Sequence, residues 1–171
     1  EFFPSRGLVE HGEYAVAASL GASRKERQER AAVHSPHRGQ TRGFEWDVRL
    51  NEGLPLELEI EAGANRSVID LSALQVAKLE LQTGASDTRL TLPAAAGFTR
   101  AEVEGGAASL NIRVPEGVAA RIAVESGLAS LSVDTARFPG AGKLYQSPDY
   151  DTATNKVDLK IESGVSSITV R

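Results

Sequence analysis

The sequence predicts an all-β fold, a β-solenoid of about 21-residue coils forming two facing sheets, with a partly helical or irregular N-terminal segment. Three observations predict it. A glycine recurs at Gly63, Gly84, Gly106, Gly127 and Gly164, in steps of 21, 22, 21 and 37 residues. Apolar and polar residues alternate on both sides of each glycine, which is the period of a strand with one buried face. The phase of that alternation changes across the glycine, as it must where a chain turns from one sheet to another. A fixed period of this length marks a repeat architecture, whose units bury their apolar faces only against neighbours.

The elements follow in chain order. Residues 1–43 carry seven Lys/Arg, five acids and all three histidines, a net of +2. Within them EYAVAASLGASRKERQERAAV reads as one helix weakened at Gly21, and HSPHRGQTRG as a loop. This stretch is expected to be a basic helix or linker, separate from a solenoid domain over 44–171. GFEWDVRLNEGLPL, with Trp46, Val48 and Leu50, reads as a partial first coil.

Five units then superimpose. Three residues before the glycine stand Ile60, Leu81, Val103, Val124 and Ile161; five before it stand Leu58, Leu79, Ala101, Ile122 and Leu159. Six after it stand Ile69, Leu90, Ile112, Val133 and Val170. Glycine suits such a corner because it tolerates positive φ. Pro93 and Pro115, each nine residues after an anchor, mark where the second strand of a coil stops. The longest step accommodates an insertion over 135–156 that contains Tyr145 and Tyr150, with Phe138, in a chain only 5% aromatic. An antiparallel sandwich has turns at comparable spacing, but here the identity and position of the corner repeat as well.

Composition narrows function. A length of 171 residues allows one domain with a core, or two very small ones. The net charge of −4 disfavours nucleic-acid binding by the whole protein. With no cysteine there are no disulfides, thiolate metal sites or cysteine nucleophile. No apolar stretch approaches the ~20 residues of a membrane span. The absence of Met, with Glu1 as the first residue, points to a fragment, a processed chain or a trimmed one.

From Gly43 to Arg171 the sequence resembles the toast-rack family of bacterial β-solenoid domains, often given an adhesin label. The group includes the C-terminal domain of LiaF-like cell-wall-active-antibiotics response proteins. The resemblance is carried by WDVRLNEGLPLELEIEAGANRSVIDLSAL running into LELQTGASDTRLTLP, by VPEGV after a strand, and by the closing SPDYDTATNKVDLKIESGVSSITVR. It implies a non-enzymatic envelope domain, linked to stress signalling or adhesion and membrane-associated through a segment not present in this chain. Which face of the membrane it would occupy stays open.

Candidate binding residues follow from the repeat. Two residues before each anchor stand Glu61, Gln82, Glu104, Glu125 and Glu162; four before stand Glu59, Glu80, Glu102, Ala123 and Lys160. Stacked coils turn these into two acidic ladders, which either repel across the strands until a cation such as Ca²⁺ or a basic partner relieves them, or form a salt-screened solvated face. No dedicated calcium motif is present. Tyr145 and Tyr150 either recognise a partner or cap the solenoid's end. His34 and His37 read as a polar loop rather than a metal site, and Arg24, Lys25, Arg27 and Arg30 are diluted by Glu26 and Glu29.

No nucleophile, P-loop or paired-carboxylate motif stands out, so no cofactor and no catalysis are expected. A protein partner or self-association is the expectation instead. The chain ends inside its last strand, and an exposed final coil would template another copy. A carbohydrate-active β-helix enzyme ranks last, because the ladders have no basic catalyst beside them.

Overall fold

The computed structural model describes residues 5–7, 14–20, 31–32, 45–48 and 50–171. In chain order the strands are β1 (Ser5–Gly7), β2 (Tyr14–Leu20), β3 (Ala31–Ala32), β4 (Glu45–Asp47), β5 (Pro55–Ala62), β6 (Asn65–Asp70) and β7 (Gln75–Thr91). They continue with β8 (Phe98–Arg113), β9 (Ala119–Val133), β10 (Gly140–Ala141), β11 (Leu144–Gln146) and β12 (Lys156–Val170). The long strands are whole coils. In β8, burial alternates strictly from Thr99 to Gly105, slips at Gly106 and Ala107, which are both exposed, and resumes from Ala108 to Ile112. Each coil thus has a front half before its glycine and a back half after it, and both turn apolar side chains into one core. Leu79, Leu81 and Leu90 from β7 meet Ile122, Leu159, Ile161 and Ile168 from the other coils there, all buried. The strands stop two residues before Pro93 and Pro115. The predicted all-β solenoid is the fold observed.

The coils do not stack in sequence order. The spatial order is β5 with β6, then β7, β8, β12 and β9. β12 pairs in parallel with β8 on one side, Ile161 beside Val103, and with β9 on the other, Ile161 beside Val124. The C-terminal strand is therefore an interior strand, and the expectation that it forms an exposed end is corrected. Its ends are held by neighbours too: Val114 N–H donates to the Arg171 carbonyl (2.7 Å) and Lys156 N–H to the Gly97 carbonyl (2.7 Å).

The reason for glycine at the corners also differs from the expectation. Gly97, Gly117 and Gly142 adopt positive φ, and they lie in connections outside the corner column. At the corners the cause is close stacking. A Cβ on Gly84 would lie 3.2 Å from the Gly63 carbonyl oxygen, one on Gly106 3.3 Å from that of Gly84, and one on Gly164 only 2.9 Å from that of Gly106. The column of glycines lets successive coils touch backbone to backbone.

Antiparallel strands close both ends of the front halves. At one end β2 lies along β5, Val16 beside Ile60, and β3 lies along β2. The helix expected through this stretch is not formed at Tyr14–Leu20: Tyr14, Val16, Ala18 and Leu20 also make a period-two pattern, and the bare edge of β5 selects the strand. The sheet therefore begins upstream of the boundary at residue 43. β4 pairs with β1 in a separate two-stranded sheet, so the stretch around Trp46 is no partial coil.

At the other end the insertion supplies the closure. β11 runs antiparallel to the front half of β9, Tyr145 beside Ile122, and β10 pairs with β11. Phe138 is fully buried and Tyr145 packs half-buried against the core. The Arg137 guanidinium lies 4.8 Å from the Phe138 ring and donates to the Val114 and Pro115 carbonyls at 2.8 and 3.0 Å. Tyr150 is buried as well, its hydroxyl donating a short hydrogen bond to Asp158.

Candidate functional site: a groove walled by glutamates

Strand register brings four of the six proposed binding residues into one row. Glu61 stands beside Gln82, Gln82 beside Glu104, Glu104 beside Glu162, and Glu162 beside Glu125. The column of corner glycines runs along this row. The result is an open groove of about 1080 Å³, floored by Gly63, Gly84, Gly106, Gly164 and Gly127 and walled by the row of acids. Thr83, Ser126 and Ser163 add hydroxyls, and Lys143 sits among the lining residues. The Thr83 hydroxyl donates to the Glu104 carbonyl at 3.3 Å.

The second row, four residues before each glycine, reads Glu59, Glu80, Glu102, Lys160, Ala123 in space. The transposition of β12 places Lys160 directly beside Glu102 rather than at the end of the ladder. Lys160 forms an ion pair with Glu162, and that hydrogen bond, reinforced by the charges of Glu162, Glu125 and Glu102, raises its pKa. Lys78 pairs with Glu80, whose hydrogen bond and charge raise its pKa in the same way. Lys160 within the row and Lys78 two residues before Glu80 thus offset the acids, which favours a solvated face for this row. In the groove row Glu162 is paired with Lys160, and Lys143 is among the lining residues. No sequence signal foretells Lys143, because the insertion has no register with the repeat.

Tyr145 and Tyr150 do not join this row. Arg121 holds the second of them in place: its guanidinium lies 4.2 Å from the Tyr150 ring, 3.7 Å from Asp158 and 3.8 Å from Asp151, and its Nε donates to Gln146 Oε1 at 2.9 Å. Burial, with Asp158 accepting the phenol's hydrogen bond, pushes the Tyr150 pKa up to about 12. These contacts tie Tyr150 in the insertion to Arg121 of β9 and Asp158 of β12. His34, His37 and the Arg24–Arg30 run lie outside the described residues. Among the described residues no group of three or more His, Cys, Asp or Glu is arranged to hold a metal ion. No helix there is long and apolar enough to cross a membrane.

The family model described as the N-terminal domain of toast_rack, DUF2154, matches residues 14–113. The chain belongs to the toast-rack family. No curated protein matches the sequence. A solved structure similar to this toast-rack chain is that of a "putative cell adhesion protein" from Clostridium sporogenes. It shares 17% identity, with a TM-score of 0.76 and 99% of each chain covered. At that identity the likeness shows the fold. The family match begins at Tyr14, the first residue of β2, which agrees with β2 being part of the toast-rack sheet.

Proposed function

We propose that this toast-rack chain is a non-catalytic binding domain of a bacterial envelope protein, which presents its glutamate-walled groove to a basic partner. The observation that carries the reading is the row Glu61, Gln82, Glu104, Glu162, Glu125 above a continuous backbone floor. Glu104, Glu162 and Glu125 are like-signed at adjacent strand positions and repel; Lys160 pairs with the middle one, and a cationic segment lying along the groove relieves the three together. The cell-adhesion description of the similar Clostridium sporogenes protein supports an adhesion-like role at the cell surface. The family resemblance supports a link to envelope stress signalling.

Octalysine titrated by calorimetry at low ionic strength tests the reading. Binding is expected, weakening as salt screens the charges. The double variant Glu104→Gln, Glu162→Gln should weaken it by on the order of tenfold, about 1.4 kcal/mol. Absence of binding, or equal affinity for the double variant, overturns the reading.

A further inference from the structure

Among the described residues, the two ends of the stack are closed only along the front halves. β2 and β3 extend one end and β11 and β10 the other, but each pairs with residues before a corner glycine. Beyond Glu125, among the described residues, no strand lies on the side of β9 facing away from β12. The core registers the gap. Leu110 and Ile168, each with neighbours on both sides, are 2% and 1% exposed, whereas Leu131 in the same column is half-buried. Val133 is likewise half-buried where Ile112 and Val170 are buried. On the outer face Leu128 is 79% exposed, beside Val165 at 63%.

This edge lacks two of the devices by which proteins blunt a free strand, charge and proline. SGLASLSV, residues 126–133, holds no charge and no proline. Among the described residues no strand pairs with its outward peptide groups. Asp134 N–H points to the Val170 carbonyl (2.9 Å), and successive residues alternate sides, so Ala129, Leu131 and Val133 direct their N–H and C=O groups away from β12.

We propose that this edge receives one extended segment of another polypeptide, added as a further strand, with apolar residues at alternate positions that complete the Leu131 and Val133 columns. The neighbouring closure selects this occupant over a second copy of the chain. β11 and β10 project past β9 by two strands, roughly 10 Å at the usual strand spacing. Two copies meeting edge to edge at β9 would drive those projections into each other. A single strand, about 5 Å wide, fits on the ledge they make. This site is separate from the groove, and its failure leaves the groove reading standing.

A synthetic peptide copying residues 163–171, SGVSSITVR, is the probe, because its Ile and Val positions already match these columns from the other side. Its addition is expected to give saturable binding, with slowed amide exchange at Ala129, Leu131 and Val133. Ala129→Pro removes an N–H that faces the open side and no intrachain bond, so it should keep the thermal transition and weaken binding at least tenfold. Unchanged exchange at the three amides with excess peptide, or equal binding by a folded Ala129→Pro variant, overturns the proposal. So does a dimer of the protein itself that Ala129→Pro dissociates, since the occupant would then be a second copy.

Discussion

Replacing Gly164 by alanine probes the closest contact in the stack. Gly164 lies in β12, with a coil on either side, and a Cβ there would stand 2.9 Å from the Gly106 carbonyl oxygen. That atom is backbone inside a parallel ladder and cannot swing away. Overpacking of this kind costs about 1–3 kcal/mol. Restricting the unfolded chain returns about 0.4–1 kcal/mol when glycine becomes alanine. The net expectation is a loss of about 1–2 kcal/mol. For a chain of this size each kcal/mol shifts Tm by roughly 2–4 °C, so Tm should fall by about 2–8 °C. Gly84→Ala is the internal comparison. Its Cβ would stand 3.2 Å from the Gly63 carbonyl, at a place where a shift of a few tenths of an ångström suffices, and its stability should lie within about 1 kcal/mol of the parent. Urea unfolding of the three proteins reads both values. A Gly164→Ala protein as stable as Gly84→Ala would refute backbone stacking as the reason for the glycine column.

Three further outcomes are expected. Phe138→Ala, which empties a fully buried site in the closing insertion, should cost about 3–5 kcal/mol by chemical denaturation. The folded protein holds the Tyr150 phenol protonated past its ordinary pKa of 10.0, so the stability it contributes is complete below pH 10 and is lost as pH rises through about 12; Tm measured across that window should fall less in Tyr150→Phe, and parallel curves would contradict the assignment. Deleting the last strand, Lys156–Val170, strips a partner from both β8 and β9 and should abolish the cooperative melt followed by circular dichroism, whereas a deletion that merely frayed one end would preserve it.

The repeat is legible in the sequence because every coil carries the same constraint at the same position. Ile60, Leu81, Val103, Val124 and Ile161 must all point inward, and the glycine must follow at a fixed distance. The acidic rows follow directly from that register. The order of the coils is not legible, because equal registers make every coil a satisfactory neighbour for every other: Val103 lies beside Ile161, and Val124 would fill the same place with a side chain of similar shape. Tyr14–Leu20 misleads for a related reason. YAVAASL suits a helix locally, and only the unpaired edge of β5, distant in sequence, decides for a strand. In the groove the row of Glu61, Glu104, Glu125 and Glu162 can be read in advance, but Lys143 belongs to an insertion without periodicity.

The interior place of β12 has a consequence for how the chain is made. During synthesis β8 emerges and then β9, and the last strand comes only after the whole insertion. Until then β8 shows a bare edge, and β9 offers it Ile122 and Val124 in the same columns that Leu159 and Ile161 will occupy. The nascent protein thus contains a rival for its own final position. Reaching the native arrangement requires β9 to stay clear of β8, or to leave it, so that a strand can be threaded between two others. The native order therefore cannot be reached by adding each newly made coil to the end of the stack, since β12 lies between β8 and β9, both of which precede it in the chain.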